Sequence, residues 1–122
     1  MAALNIKEAS DIHAEAFLSG ELKHGVLALV EEGTLVIVFQ SDRTRAHNAA
    51  AEVRARGGII LAINSSANDV YDDHILMPMC ADEHLEMVAG IIPGQLLAYE
   101  LAVLRGVNPD EPRNLAKSVT VL

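Results

Sequence analysis

Three side chains in this 122-residue chain are of types that could do chemistry, and they lie far apart in sequence. Lys117 stands among small and apolar residues in NLAKSVTV, residues 114–121. Partial burial frees a lysine amine of its proton, and a free amine attacks carbonyls. An exposed tail lysine would have the same neighbours. Glu8 follows Lys7 in a short helical pattern. A carboxylate there can act as a general base, although Lys-Glu on a helix also suits a solvated face. His24 lies inside GELKHG, residues 20–25, flanked by a lysine and two glycines. That setting suits an exposed turn beside a ligand, or a solvated histidine at a helix start.

Other candidates carry less. His13, His47, His74 and His84 show no metal-ligand spacing with one another or with Cys80, so no metal is expected. Asp72-Asp73-His74 reads as a solvated strand entry. Cys80 has no cysteine partner and no activating base nearby, which makes it buried or half-buried filler. Neither a Gly-x-Ser-x-Gly elbow nor a glycine-rich phosphate loop is present, because Gly57-Gly58 precedes a strand rather than following one. No organic cofactor is implied.

Composition narrows the classes further. The chain has 17 acidic and 9 basic residues, a formal charge of −8, and an aromatic fraction of only 3%. Nucleic-acid binding needs a basic surface and rings to stack bases on, so no nucleic-acid partner is expected. A hydrophobic fraction of 51% without Trp implies a core of Ala, Leu, Val and Ile. One cysteine excludes an intrachain disulfide. No stretch reads as a membrane span and no signal peptide is evident, so a cytoplasmic protein is expected.

These residues must be positioned by an α/β fold. Two non-alternating apolar runs, LVIVF at residues 35–39 and IILAI at residues 59–63, read as parallel strands buried on both faces. Between them, Ser41 or Asp42 caps a helix, Ala46, Ala49, Ala50 and Val53 face the sheet, and Gly57-Gly58 stops it. Residues 34–63 thus form one βαβ unit. A weaker strand is expected at residues 74–77, and a further short strand at residues 12–17. Residues 2–9 read as the end of a helix rather than a whole one, and helices are expected at residues 21–30 and from Asp82 to about Arg105, the last kinked at Pro93-Gly94 and stopped by Gly106. Residues 107–122 read as an extended tail. Ligands of such sheets bind beyond the carboxyl ends of the strands, here Gln40-Ser41-Asp42 and Asn64-Ser65-Ser66.

Several segments resemble one family. HAEAFLSGELKHG (residues 13–25), EVRARGG (52–58), QLLAYELAVLRG (95–106) and PRNLAKSVTV (112–121) resemble, in the same order, the C-terminal end of the isomerising glutamine–fructose-6-phosphate aminotransferases. In that family a glutaminase domain releases ammonia, and two sugar-isomerase (SIS) subdomains turn fructose 6-phosphate into glucosamine 6-phosphate. The resemblance implies a three-layer α/β sandwich of SIS type with a mostly parallel sheet, lacking its first strand. Residues 1–106 would be most of the second SIS subdomain, and residues 107–122 a tail closing over the sugar. By the same resemblance, Glu8 moves a proton between sugar carbons 1 and 2. His24 assists ring opening, in the family at a neighbouring subunit's site. Lys117 forms a Schiff base with the open-chain ketose, and Ala116 contacts the sugar. No cofactor is required.

The departures are Val26 where the family has proline, Gly94 where it has a larger apolar residue, and Leu122 where it has glutamate. The family's glutaminase domain, its first SIS subdomain with the phosphate-holding loop, and the opening strand of the second have no counterpart here. A strand at residues 35–39 without that neighbour would show unpaired backbone groups. A homo-oligomer, or a complex with a chain supplying the upstream half, is therefore expected. The alternative to an isomerase is a non-catalytic sugar-phosphate-binding module or a structural remnant.

Overall fold

The computed structural model describes residues 1–39, 43–113 and 115. They form two compact units: Met1–Ala16 with Ile91–Leu122, and Phe17–Gly90.

The Phe17–Gly90 unit is built around a three-stranded parallel sheet. β1 (Leu35–Phe39), β2 (Ile59–Asn64) and β3 (Asp73–Leu76) lie in the order β1-β2-β3. Leu35 pairs with Ile59 and Phe39 with Ile63, while Leu61 pairs with Asp73 and Asn64 with Leu76. The expected βαβ unit is thus present, with α2 (Arg43–Arg54) between its strands. Ser41 and Asp42, the expected caps of α2, lie outside the described residues. Ala46, Ala50 and Val53 recur at helical spacing and are buried, and Ala49 is half-buried. Ala50 and Val53 join Leu27, Ile60, Ala62 and Tyr71 in the core.

Gly57-Gly58 does two separate jobs. Gly57 takes the left-handed conformation that ends α2, with φ 83°. Gly58 lets the chain pass α2 closely, since a Cβ there would stand 2.5 Å from Val53 Cγ1. The two strand entries are tied by Gly33 N–H donating to Gly57 O at 2.9 Å and Ile59 N–H donating to Thr34 O at 2.8 Å.

Three local expectations are corrected, two of them in this unit. β1 is not buried on both faces: it is an edge strand, with Leu35 and Phe39 exposed and the residues between them half-buried. Only the central β2 has the burial expected of both runs. Residues 21–30 do not form a helix. Gly25 adopts φ 123°, which no helix accommodates, so turns lead only into the 3-10 helix Val26–Leu29. Residues 12–17 are not a strand either, because a strand needs a neighbouring backbone and none among the described residues pairs with them.

Asp82 caps α3 (Glu83–Ala89) as expected, its carboxylate accepting from His84 N–H at 2.7 Å. The expected continuous helix breaks at Gly90, three residues before the proline. α4 (Ile91–Arg105) then starts afresh, which places Pro93 in a first turn, where its missing N–H costs nothing. Gly94 is not a flexible kink but a buried position inside α4.

In the other unit, α1 (Ala2–Ser10) packs against α4. Ile6 is buried on α1, and α4 meets it through small residues: Gly94, Ala98 and Ala102 are buried. Asp11 closes α1 in the left-handed conformation, its N–H donating to Lys7 O. Its carboxylate holds Arg113 Nε at 2.7 Å, which fastens the segment after α4 to the end of α1. Gly106, at φ 69°, stops α4 as expected.

The large apolar residues of α4 lie elsewhere. Ile92, Leu96, Tyr99 and Val103 follow one another at four, three and four residues, and each is at least half exposed. The helical stretch His84–Arg105, broken at Gly90, is by length and composition alone long and apolar enough to cross a membrane: an 18-residue window within it has a mean hydropathy of 1.6, and 17% of that window is buried. That corrects the expectation that no stretch reaches this threshold.

Candidate functional site

Two places merit comparison as sites, one in each unit. The first is the carboxyl end of β2, where ligands of parallel sheets bind. Asn64 ends that strand and is buried. Its Nδ2 donates to Tyr71 Oη at 3.3 Å, and its Oδ1 accepts from Ser66 N–H at 3.0 Å. His74 Nε2 lies 3.0 Å from Asn64 Oδ1 and 3.1 Å from Asn64 O. A backbone carbonyl can only accept, so that nitrogen carries a proton. Ser65 Oγ donates to Glu86 Oε1 at 2.8 Å. Tyr71 stands between His47 and His74, with ring centroids 5.6 and 5.8 Å away. The polar groups at this strand end are thus engaged with one another. Gln40-Ser41-Asp42, the other expected strand end, lies outside the described residues.

The second place is a cleft of about 360 Å³ in the unit that holds α1 and α4. α1 contributes Asn5 and Glu8, three residues apart and so on one helix face. α4 contributes Gln95 and Tyr99, four apart and again on one face. Pro109, Pro112 and Leu115 line it from the segment that follows α4. A cleft of this size suits a small ligand. Among the described lining residues, Glu8 is the only charged group.

The sequence candidates fall as follows. Glu8 is exposed and lines the cleft. Leu115, also on the cleft, directly precedes Ala116 and Lys117 in the chain, and those two lie outside the described residues. His24 is exposed in a turn of the Phe17–Gly90 unit, its N–H donating to Glu21 O at 3.0 Å. Cys80 is half-buried, as expected of filler. Asn5, Gln95 and Tyr99 escaped the sequence reading. Their signal is a helical spacing that matches Glu8 on one helix and a polar pair inside an apolar run on the other.

Comparison with known proteins gives this cleft its context. The SIS domain model matches residues 1–105. The chain belongs to the SIS domain family. Across 124 aligned residues the chain is 47% identical to the isomerising glutamine–fructose-6-phosphate aminotransferase of Pyrococcus horikoshii, covering 98% of this chain and 21% of that protein. The resemblance read from the sequence is thereby borne out, and the chain spans about a fifth of the length of such curated relatives. Among solved structures, the C-terminal domain of glucosamine-fructose-6-phosphate aminotransferase from Francisella tularensis is similar, with TM-score 0.74 and 35% identity over 90% of this chain and 33% of that one. Tagatose-6-phosphate ketose/aldose isomerase from Escherichia coli has TM-score 0.74 and 25% identity, over 98% of this SIS chain and 36% of its own. The α/β fold with a parallel sheet is that of these SIS structures.

Proposed function

We propose that the chain is the C-terminal isomerase part of a glutamine–fructose-6-phosphate aminotransferase, which binds fructose 6-phosphate and turns it toward glucosamine 6-phosphate. The observation that carries this reading is the cleft beside Glu8, reached by Leu115 just before Ala116 and Lys117. The ordered identity to such aminotransferases along 98% of the chain supports the reading.

The proposed chemistry suits these residue types. His24 shuttles the proton that opens the sugar ring, a task for an imidazole, which can both give and take a proton. The Lys117 amine condenses with the C2 ketone and releases water, leaving an imine. Ammonia, delivered by another part of such an enzyme, displaces the lysine and leaves its own imine at C2. The imine acidifies the C1–H bond. Glu8 takes that proton and returns it to C2 while the C1 hydroxyl proton passes to the imine nitrogen, so that C1 becomes an aldehyde and C2 carries the amine. Ala116 contacts the sugar. Residues 1–106 act as a partial SIS subdomain, and residues 107–122 close over the sugar.

We also infer association, with a second copy or with a chain bearing the upstream half. Two features support it: β1 has no strand on its outer side among the described residues, and α4 exposes a stripe of large apolar side chains. Free Cys80 suits a cytoplasmic place.

Incubation with fructose 6-phosphate followed by borohydride reduction should give a mass adduct at Lys117. Binding without an adduct would point instead to a non-catalytic module, and neither signal to a remnant. A monodisperse monomer in dilute solution scattering would overturn the association.

A further inference from the structure

In the cleft of the α1–α4 unit, the polar side chains stay unengaged. Among the described residues, Asn5, Glu8, Gln95 and Tyr99 line it, and none of their side chains has a hydrogen-bond partner. Elsewhere in the same unit polar side chains do find partners: Ser10 Oγ donates to Ile6 O at 2.6 Å, and Asp11 pairs with Arg113. Two amides and a phenol offer both donors and acceptors at neutral charge. That is the complement of a run of hydroxyl groups, each of which also donates and accepts. A phosphate fits poorly, because the described lining has no lysine or arginine and Glu8 is an acid. Tyr99 adds a ring face against which the C–H side of a polyol can lie, and Pro109 and Pro112 add further apolar wall.

We propose that Gln95 and Tyr99 of α4, with Asn5 of α1, hold the hydroxyls of an open-chain sugar in this cleft and set its position against Glu8. The phosphate is held elsewhere. Gln95 and Tyr99 are thus specificity-determining residues that recognise a polyhydroxy chain rather than an anion. The proposal rests on the reading of the cleft as a sugar-phosphate isomerase site.

Sorbitol 6-phosphate tests it, because it has the hydroxyl chain but no carbonyl and cannot form a Schiff base. Calorimetric titration of the chain should show binding, and Tyr99→Phe and Gln95→Leu should each weaken it by about three- to tenfold, the worth of one neutral hydrogen bond. Inorganic phosphate should bind no differently to either variant. Circular dichroism confirms folding, and Tyr99→Phe, which removes one exposed hydroxyl, keeps the test open if Gln95→Leu misfolds. Unchanged sorbitol 6-phosphate affinity in Tyr99→Phe, or no binding by the parent chain, overturns the proposal. The borohydride adduct separates this outcome from failure of the isomerase reading. A Tyr99-sensitive affinity without an adduct at Lys117 sinks the Schiff-base step and leaves the hydroxyl recognition standing. An adduct with an affinity that ignores both substitutions does the reverse.

Discussion

The strand end in one unit and the cleft in the other use their polar side chains in opposite ways. In the Phe17–Gly90 unit they close on one another. Asn64 joins Tyr71, Ser66 and His74, and Arg54 Nη1 donates to the carbonyls of Asp69 and Val70 at 2.9 and 2.8 Å. Asp72 Oδ2 accepts from Ile60 N–H at 2.8 Å. In the α1–α4 unit, four polar side chains face a cleft and bond to nothing described. Groups that engage one another hold a shape; groups left open are available to a ligand. The contrast also separates the strand end that topology nominates from the cleft that carries the candidate base.

If the Phe17–Gly90 unit is the rigid one, its core should be the most sensitive place in the molecule. Ile60 is the largest fully buried side chain among the described residues, near the start of the middle strand. Ile60→Ala should cost about 2–5 kcal/mol, the usual loss for a deleted aliphatic side chain plus its cavity. Urea unfolding followed by circular dichroism measures it, since the chain has no Trp to report by fluorescence. A loss below about 1 kcal/mol would show a core that collapses around the gap.

Overfilling the same core comes next. A Cβ at Gly58 would meet Val53 Cγ1 at 2.5 Å and Val30 Cγ1 at 3.2 Å, and Val53 is fully buried. Gly58→Ala should therefore cost about 1–3 kcal/mol. The double variant Gly58→Ala with Val53→Ala should cost less than the sum of the two single changes, because the clash is with that valine.

Asn64→Ala tests the polar lock directly. It strips partners from Tyr71 Oη, Ser66 N–H and, in part, His74 Nε2. Leaving such groups short of partners should cost about 1–3 kcal/mol. A neutral outcome would mean that water replaces the asparagine freely, and the strand end would then be as open to a ligand as the cleft.

How much of this was legible in the sequence follows from the same physics. LVIVF and IILAI, with two glycines between helix and strand, specify a βαβ unit because buried parallel strands need continuous apolar runs. Asp82 and Gly106 marked helix ends because capping is a local act. Residues 12–17 failed because a strand exists only beside another backbone. The break at Gly90 was misplaced to Pro93 because a proline is harmless in a first turn and disruptive only deeper in a helix. Glu8 was visible as a residue type. Gln95 and Tyr99 were hidden in an apolar helix, where only the pairing of α4 with α1 reveals that they share a cleft with Glu8. Lys117 was visible as a residue type among small and apolar neighbours, while its role and the choice of Ala116 came from the resemblance.

The smallest change in stability should come from the cleft, and it sharpens the contrast most. Glu8 stands in the last turn of α1, exposed and unpaired, where the partial negative charge of the helix end repels a carboxylate. Nothing local rewards an acid at that position. Glu8→Gln should therefore leave stability within about 0.5 kcal/mol, with any change toward a more stable fold. Its effect on chemistry should be large. Exchange of a C1 hydrogen of fructose 6-phosphate with deuterated solvent, followed by NMR on an assembly that is active, should fall about a hundredfold or more when the base is lost. A stability loss of about 2 kcal/mol with exchange unchanged would place Glu8 among the structural groups and dissolve the contrast between the two units. An unaltered fold with exchange abolished would show a residue kept in an unfavourable place for the proton it moves.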